Sequence, residues 1–173
     1  MRALLPLILT ALTVPLPSCT GDDTSQSAAS PSEDTTTIPF EKEGRLAFLQ
    51  DQDTLVTLDL EVADTDSARN RGMMQRKGFP SERSGMLFPF REERERGFWM
   101  ANTPLSLDLF FISADSQVVR IKKYAPPNTA KTIPSRSPAQ YVLETTAGFA
   151  DSHGIVEGDR VRWRRTGQPN EGL

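Results

Sequence analysis

Asp108 stands among Leu105, Leu107, Leu109, Phe110 and Phe111. A carboxylate in such company needs a hydrogen-bonded partner or an opening to solvent, because burying it alone costs several kcal/mol. On an extended strand it shares a face with Phe110 and Ile112. Glu144 ends a similar apolar run, Tyr141-Val142-Leu143. Arg69, Arg71 and Arg76 lie in or beside a short helical segment and supply candidate partners, Arg71 first. Two readings follow. Either Asp108 makes an ion pair that fixes helix against sheet, or it joins a polar cluster at the rim of a pocket. A third reading, hydrolysis using Asp108 or Glu144, needs carboxyls about 5–9 Å apart across an open cleft.

Trp99 and Asn102 form a second cluster within Phe98-Trp99-Met100-Ala101-Asn102-Thr103. The indole offers a flat apolar face with one donor, and the amide both donates and accepts. Together they suit a sugar ring or another small polar ligand; the alternative is a core Trp and a turn Asn ahead of Pro104. Met73, Met74, Met86 and Met100 lie in one stretch. Thioethers suit Cu(I) but also fill irregular cores, and the core reading is taken. The single His and single Cys leave too few ligands for zinc or iron. No metal and no cofactor is expected. Neither a phosphate-cradling Gly loop nor a Ser nucleophile elbow occurs. His153 fits a helix end, and Gly154–Asp159 fits a turn.

The elements that must position these residues are mostly short strands. Val56, Leu58, Leu60 and Val62 alternate with Thr57, Asp59 and Glu61, a period of two. With Leu46–Leu49 and the turn Gln50–Asp53 they predict a hairpin. Asp64-Thr65 predicts the cap of a helix from Asp66 to about Met74, weakened at Gly72. Further strands are expected at Met86–Phe90, Gly97–Ala101, Leu107–Ser113, Gln117–Lys122, Gln140–Thr145 and Val161–Arg164. A helical turn is expected at Ala147–His153. The pattern predicts a β-rich α+β fold: a compact single-domain barrel or sandwich of short strands with one or two short helices.

The N-terminus carries an address. Ala3–Val14 is apolar but too short to span a bilayer, and it fits the core of a secretory signal. Leu16-Pro17-Ser18-Cys19 resembles the bacterial lipoprotein box, with Cys19 as the acylated residue. Thr20 after the Cys lacks the Asp that often signals inner-membrane retention. The expectation is a lipid-anchored extracytoplasmic protein, on the outer membrane facing the periplasm in a Gram-negative cell. The expected organisation is a signal over 1–18, Cys19 and a disordered tether over 19–40, a domain over 41–165 and a flexible tail over 166–173. The tether is Thr, Ser, Asp, Ala and Pro, and twenty such residues reach roughly 25 Å.

The chain has 173 residues, a net charge of −3 and 25% charged residues. That composition excludes a polytopic membrane protein, and it argues against a nucleic-acid partner because the backbone-binding charge is missing.

Several motifs occur in order: Arg71-Gly72-Met73-Met74, Gly85-Met86-Leu87-Phe88, Phe98-Trp99-Met100, Asn102-Thr103, Leu107-Asp108, Phe111-Ile112, Tyr141-Val142-Leu143-Glu144, Ala147-Gly148 and Gly154-Ile155 before Gly158-Asp159. This series resembles the domain of unknown function 192 family over about Val56–Val161. The resemblance implies one small β-rich domain, often secreted or membrane-attached, with no established activity. The chain departs from the family at Met73, usually Leu; at Ala101, commonly Lys; and at Ser106, where a Pro usually precedes the Leu-Asp pair. Any ligand contact made by that Lys is missing here.

The functional expectation is a binding module for a small polar or saccharide ligand, with Trp99, Asn102, Asp108, Glu144 and Arg71 as candidate contacts and the membrane as partner through Cys19. The alternative is a structural or protein-interaction domain with no small-molecule site. Catalysis is the weakest reading.

Overall fold

A computed structural model describes residues 38–167. The expected signal, Cys19, most of the expected tether and the tail beyond Gly167 lie outside the described residues.

The chain runs β1 (Gly44–Gln50), β2 (Asp53–Val62), α1 (Asp66–Arg71), β3 (Ser84–Arg94), β4 (Gly97–Phe98), β5 (Leu107–Ile112), β6 (Val118–Ala125), β7 (Ile133–Pro134), β8 (Ala139–Thr146), α2 (Phe149–Ser152) and β9 (Arg160–Arg165). Seven strands form one mixed sheet in the order β6-β5-β8-β3-β2-β1-β9, and β4 pairs with β7 in a second, two-stranded sheet. Only β2 and β3 run parallel in the large sheet, joined by the crossover that holds α1.

Side chains alternate across each strand, and the sheet is apolar on both sides. Phe48, Leu58, Leu87, Phe110 and Leu143 build one core with Phe149 and Ala150 of α2. Met86, Phe88, Leu109, Phe111 and Val142 build the other with Met73 and Met100. Three strands separate β1 from β5, yet Phe48 and Phe110 meet at 5.0 Å between ring centroids. The sheet therefore curls strongly over its first core.

The curl does not close into a barrel, which corrects that half of the sequence expectation. The edge strands β6 and β9 meet only at their first residues, where Gln117 and Arg160 form an isolated bridge and the Val118 N–H bonds to the Asp159 carbonyl at 2.8 Å. Farther along β6 the Ile121 N–H is taken by Glu157 Oε1 at 2.9 Å instead of by a strand carbonyl. A ladder between the edges stops there.

Other differences have local causes. Helix α1 starts as expected, with Thr65 Oγ1 accepting from the Ala68 N–H at 3.1 Å. It ends at Arg71 and not at Met74, because Gly72 adopts φ 47°, ψ −131°, a conformation open to glycine alone. The strand expected over Gly97–Ala101 stops at Phe98, since the Met100 N–H bonds to the Thr129 carbonyl. The packed chain also begins before residue 41: Phe40 lies edge-on to Phe79 at 6.5 Å.

Candidate functional site

Strand register separates the two buried carboxylates. Across β5 and β8, Asp108 is paired with Thr145 and Glu144 with Leu109. Paired residues share a face and neighbours alternate. Asp108 thus joins the Phe110 side under α2, and Glu144 joins the Leu109 side under α1. They do not form a two-carboxylate pair.

Asp108 is fully buried. Its Oδ1 accepts from the Tyr124 N–H at 2.8 Å, and its Oδ2 from the N–H groups of Gly148 at 3.1 Å and Ala150 at 3.0 Å. Gly148 sits in the left-handed region at φ 86°, which aims both donors at one oxygen. Three charge-assisted bonds to backbone satisfy the carboxylate without a cation. The expected pair with Arg71 is not formed, because Arg71 belongs to the opposite side of the sheet. Arg76 is engaged elsewhere as well: it holds Glu61 through two bonds of 2.8 and 2.5 Å.

On the Glu144 side an open cleft of about 200 Å³ lies between the end of α1 and the segment 97–103. Gly72 sets its first lip. A Cβ there would stand 3.4 Å from Phe88 Cζ, so the turn fits against that ring and sends Arg71 outward and Met73 into the core. The second lip carries Trp99, which is 55% exposed. Between them Phe98 packs edge-on to Phe88 at 5.1 Å and to Phe90 at 6.4 Å. The lips are tied together: Asn102 turns the chain at φ 54°, and its carbonyl accepts from the Gln75 N–H at 2.8 Å.

Glu144 lies beneath this cleft, 4% exposed. Its Oε2 is buried and has no hydrogen-bond partner among the described residues. Burial pushes its pKa up from 4.5 to about 8, so the group is a neutral acid at pH 7. Its backbone is pressed against β3, where Gly85 leaves no space; a Cβ there would stand 2.9 Å from the Glu144 carbonyl.

Of the five candidate contacts, Arg71, Trp99 and Glu144 line this one cleft. Asn102 and Asp108 do not; the first shapes the lip through its backbone, and the second anchors α2. Phe88, Phe90, Phe98, Met74 and Thr103 also line the cleft and were not singled out as contacts. Their signal lay in the ordered motif blocks, which mark position but not which face a side chain takes. Met73, Met86 and Met100 are buried in the second core. Among the described residues no group of three or more His, Cys, Asp or Glu is placed to hold a metal ion.

Among curated proteins none matches this chain. Two crystal structures are similar to it. One is a Sinorhizobium meliloti 1021 protein provisionally described as a transcription regulator, 36% identical, covering 73% of this chain and 96% of its own, with a TM-score of 0.67. The other is a protein of unknown function from Novosphingobium aromaticivorans DSM 12444, 28% identical, covering 83% of this chain and 99% of its own, with a TM-score of 0.68. The model of the domain of unknown function 192 family, described as an uncharacterized ACR, matches residues 47–163. That span contains every residue of the cleft and all of the sheet except the outer ends of β1 and β9, and the chain belongs to this family.

Proposed function

We propose that the protein is a lipid-anchored extracytoplasmic module whose folded domain binds a small polar ligand, of the saccharide kind, in the cleft beside Glu144. The observation that carries this reading is the unpartnered Glu144 Oε2. A buried polar atom left without a partner costs about 1–3 kcal/mol, and an apolar residue would fill the same space without that cost. A ligand oxygen supplies the missing partner. Around it, Trp99 and the Phe98 ring offer faces for sugar C–H groups, and the Thr103 hydroxyl adds a polar contact on the lining. The anchor rests on Leu16-Pro17-Ser18-Cys19; acylation there would hold the domain within reach of its membrane.

The regulatory description of the Sinorhizobium protein is not extended to this chain. The longest helix among the described residues has six residues, short for a recognition helix in a major groove, and the net charge is −3.

The test is a thermal-shift titration of the purified protein with glucose, N-acetylglucosamine and muramyl dipeptide. A ligand at a hundredfold excess over its Kd stabilises by about 2.7 kcal/mol, so at least one probe should raise Tm saturably, and Trp99→Ala should abolish the rise. No shift with any probe, or a shift that survives Trp99→Ala, overturns the saccharide reading. For the anchor, Cys19→Ser should leave an unlipidated precursor; unchanged lipid labelling in that variant overturns it.

A further inference from the structure

We infer that the ligand of the cleft is a small carboxylate, held with its anionic end at the Arg71 guanidinium and an uncharged oxygen against Glu144 Oε2; the inference rests on the cleft being a ligand site. The charge distribution around the cleft argues for it. Arg71 is exposed on the lining and makes no side-chain hydrogen bond or ion pair among the described residues. Its helix neighbour Arg69 is fully engaged, with Asp66 Oδ1 at 2.7 Å and with the carbonyls of Asp64 and Pro89. A free guanidinium on a rim presents a planar fork of donors that matches a carboxylate.

The buried side complements this. Glu144 is the only carboxyl among the described residues lining the cleft, and it is buried and unpartnered. The side chains that flank it across the sheet, Met86 on β3 and Leu109 on β5, carry no charge. Of the charged residues of α1, Arg69 and Arg71 line the cleft while Asp66 pairs with Arg69 outside the lining, and segment 97–103 contributes no charge. Burial keeps the Glu144 carboxyl protonated at neutral pH. A ligand therefore meets positive charge at the rim and a neutral acid within. That pattern disfavours an amine and favours an anion whose far end carries a hydroxyl or carbonyl.

A uronic acid and a hydroxylated aromatic acid both have this chemistry. Glucuronate and 4-hydroxyphenylacetate serve as probes, each against its uncharged amide, glucuronamide and 4-hydroxyphenylacetamide. Calorimetric titration of the full protein at neutral pH should show at least one acid binding about tenfold tighter than its amide, the range of a charge-assisted bidentate contact. Arg71→Ala should erase that difference without lowering Tm, and Arg71→Lys should restore part of it. Glu144→Leu should weaken acid and amide alike, whereas Glu144→Gln, which still donates, should keep most of the affinity. Preference for glucuronate supports both proposals. Preference for 4-hydroxyphenylacetate alone supports the carboxylate and removes the saccharide. Equal affinity of acid and amide overturns the carboxylate while leaving a ligand cleft, and absence of binding by all four probes overturns it outright.

Discussion

Glu144→Gln should make the protein more stable, by an amount that depends on pH in a defined way. The folded state holds the Glu144 proton up to a pKa of about 8, against 4.5 for the unconstrained side chain. Between those values the unfolded chain has released a proton that the folded chain keeps. Stability contributed through this group is therefore greatest below pH 4.5, falls as pH rises through the window, and levels off above about 8. Each unit within the window is worth about 1.4 kcal/mol, so the native protein gives up about 3 kcal/mol by pH 7 and about 4 kcal/mol by pH 8, where the folded group is itself half ionised. Gln is neutral throughout and of similar size, and it leaves the same buried position polar. The variant should match the native protein near pH 4.5 and exceed it by roughly these amounts at pH 7 and 8. Urea unfolding at each pH, with the m-value checked for constancy, measures the difference, and all other titrating groups cancel between the two proteins. Parallel stability curves across the window, or a less stable variant at pH 8, would refute the burial of a neutral acid.

Three further substitutions test the frame around the cleft. Asp108→Ala leaves the N–H groups of Tyr124, Gly148 and Ala150 unsatisfied and should cost about 3–5 kcal/mol in denaturant unfolding; a double-mutant cycle with Arg71→Ala should give a coupling near zero, and a large coupling would contradict the separation of the two faces. Arg76→Met strips the partner from Glu61, whose side chain is only 12% exposed, and should cost about 3 kcal/mol; adding Glu61→Gln should recover part of it, and no recovery would show that the pair is not the cause. Gly85→Ala drives a methyl to 2.9 Å from both the Glu144 carbonyl and Leu58 Cδ1 and should lower stability by about 1–3 kcal/mol, with an unchanged Tm as the contrary result.

The hairpin β1–β2 was legible in the sequence because one of its strands faces a core on one side only. Leu58 and Leu60 alternate with half-buried Thr57 and Asp59, and alternation is the strand signal. Strand β5 carries no such signal: all six of its residues are buried, so nothing in Leu107–Ile112 shows which side chain faces which core. For that reason Asp108 and Glu144 read as one convergent cluster until the register placed them on opposite faces. The partners of Asp108 were illegible for another reason. They are backbone N–H groups, some of them 40 and more residues away in the chain, and every residue type but proline carries one. Strand β7 was missed because two residues, Ile133 and Pro134, in a Pro- and Ser-rich stretch pair only with Gly97-Phe98. The cleft itself was half legible. Arg71, Trp99 and Glu144 stood out by type, while Phe88, Phe98 and Thr103 look like core and turn residues until α1 and segment 97–103 are brought face to face.

Ligand entry into the cleft is read most simply at the two indoles of the chain. Trp99 stands on the lip. Trp163 packs against Tyr141 at 6.0 Å and is paired with Leu46 of the other core, so it serves as an internal control. In a proton–nitrogen correlation spectrum, titration with N-acetylglucosamine, glucuronate and 4-hydroxyphenylacetate should move the Trp99 indole resonance saturably with at least one of them and leave that of Trp163 in place. A Trp99 signal that none of them moves, or one that moves only together with Trp163, would contradict a ligand site in this cleft.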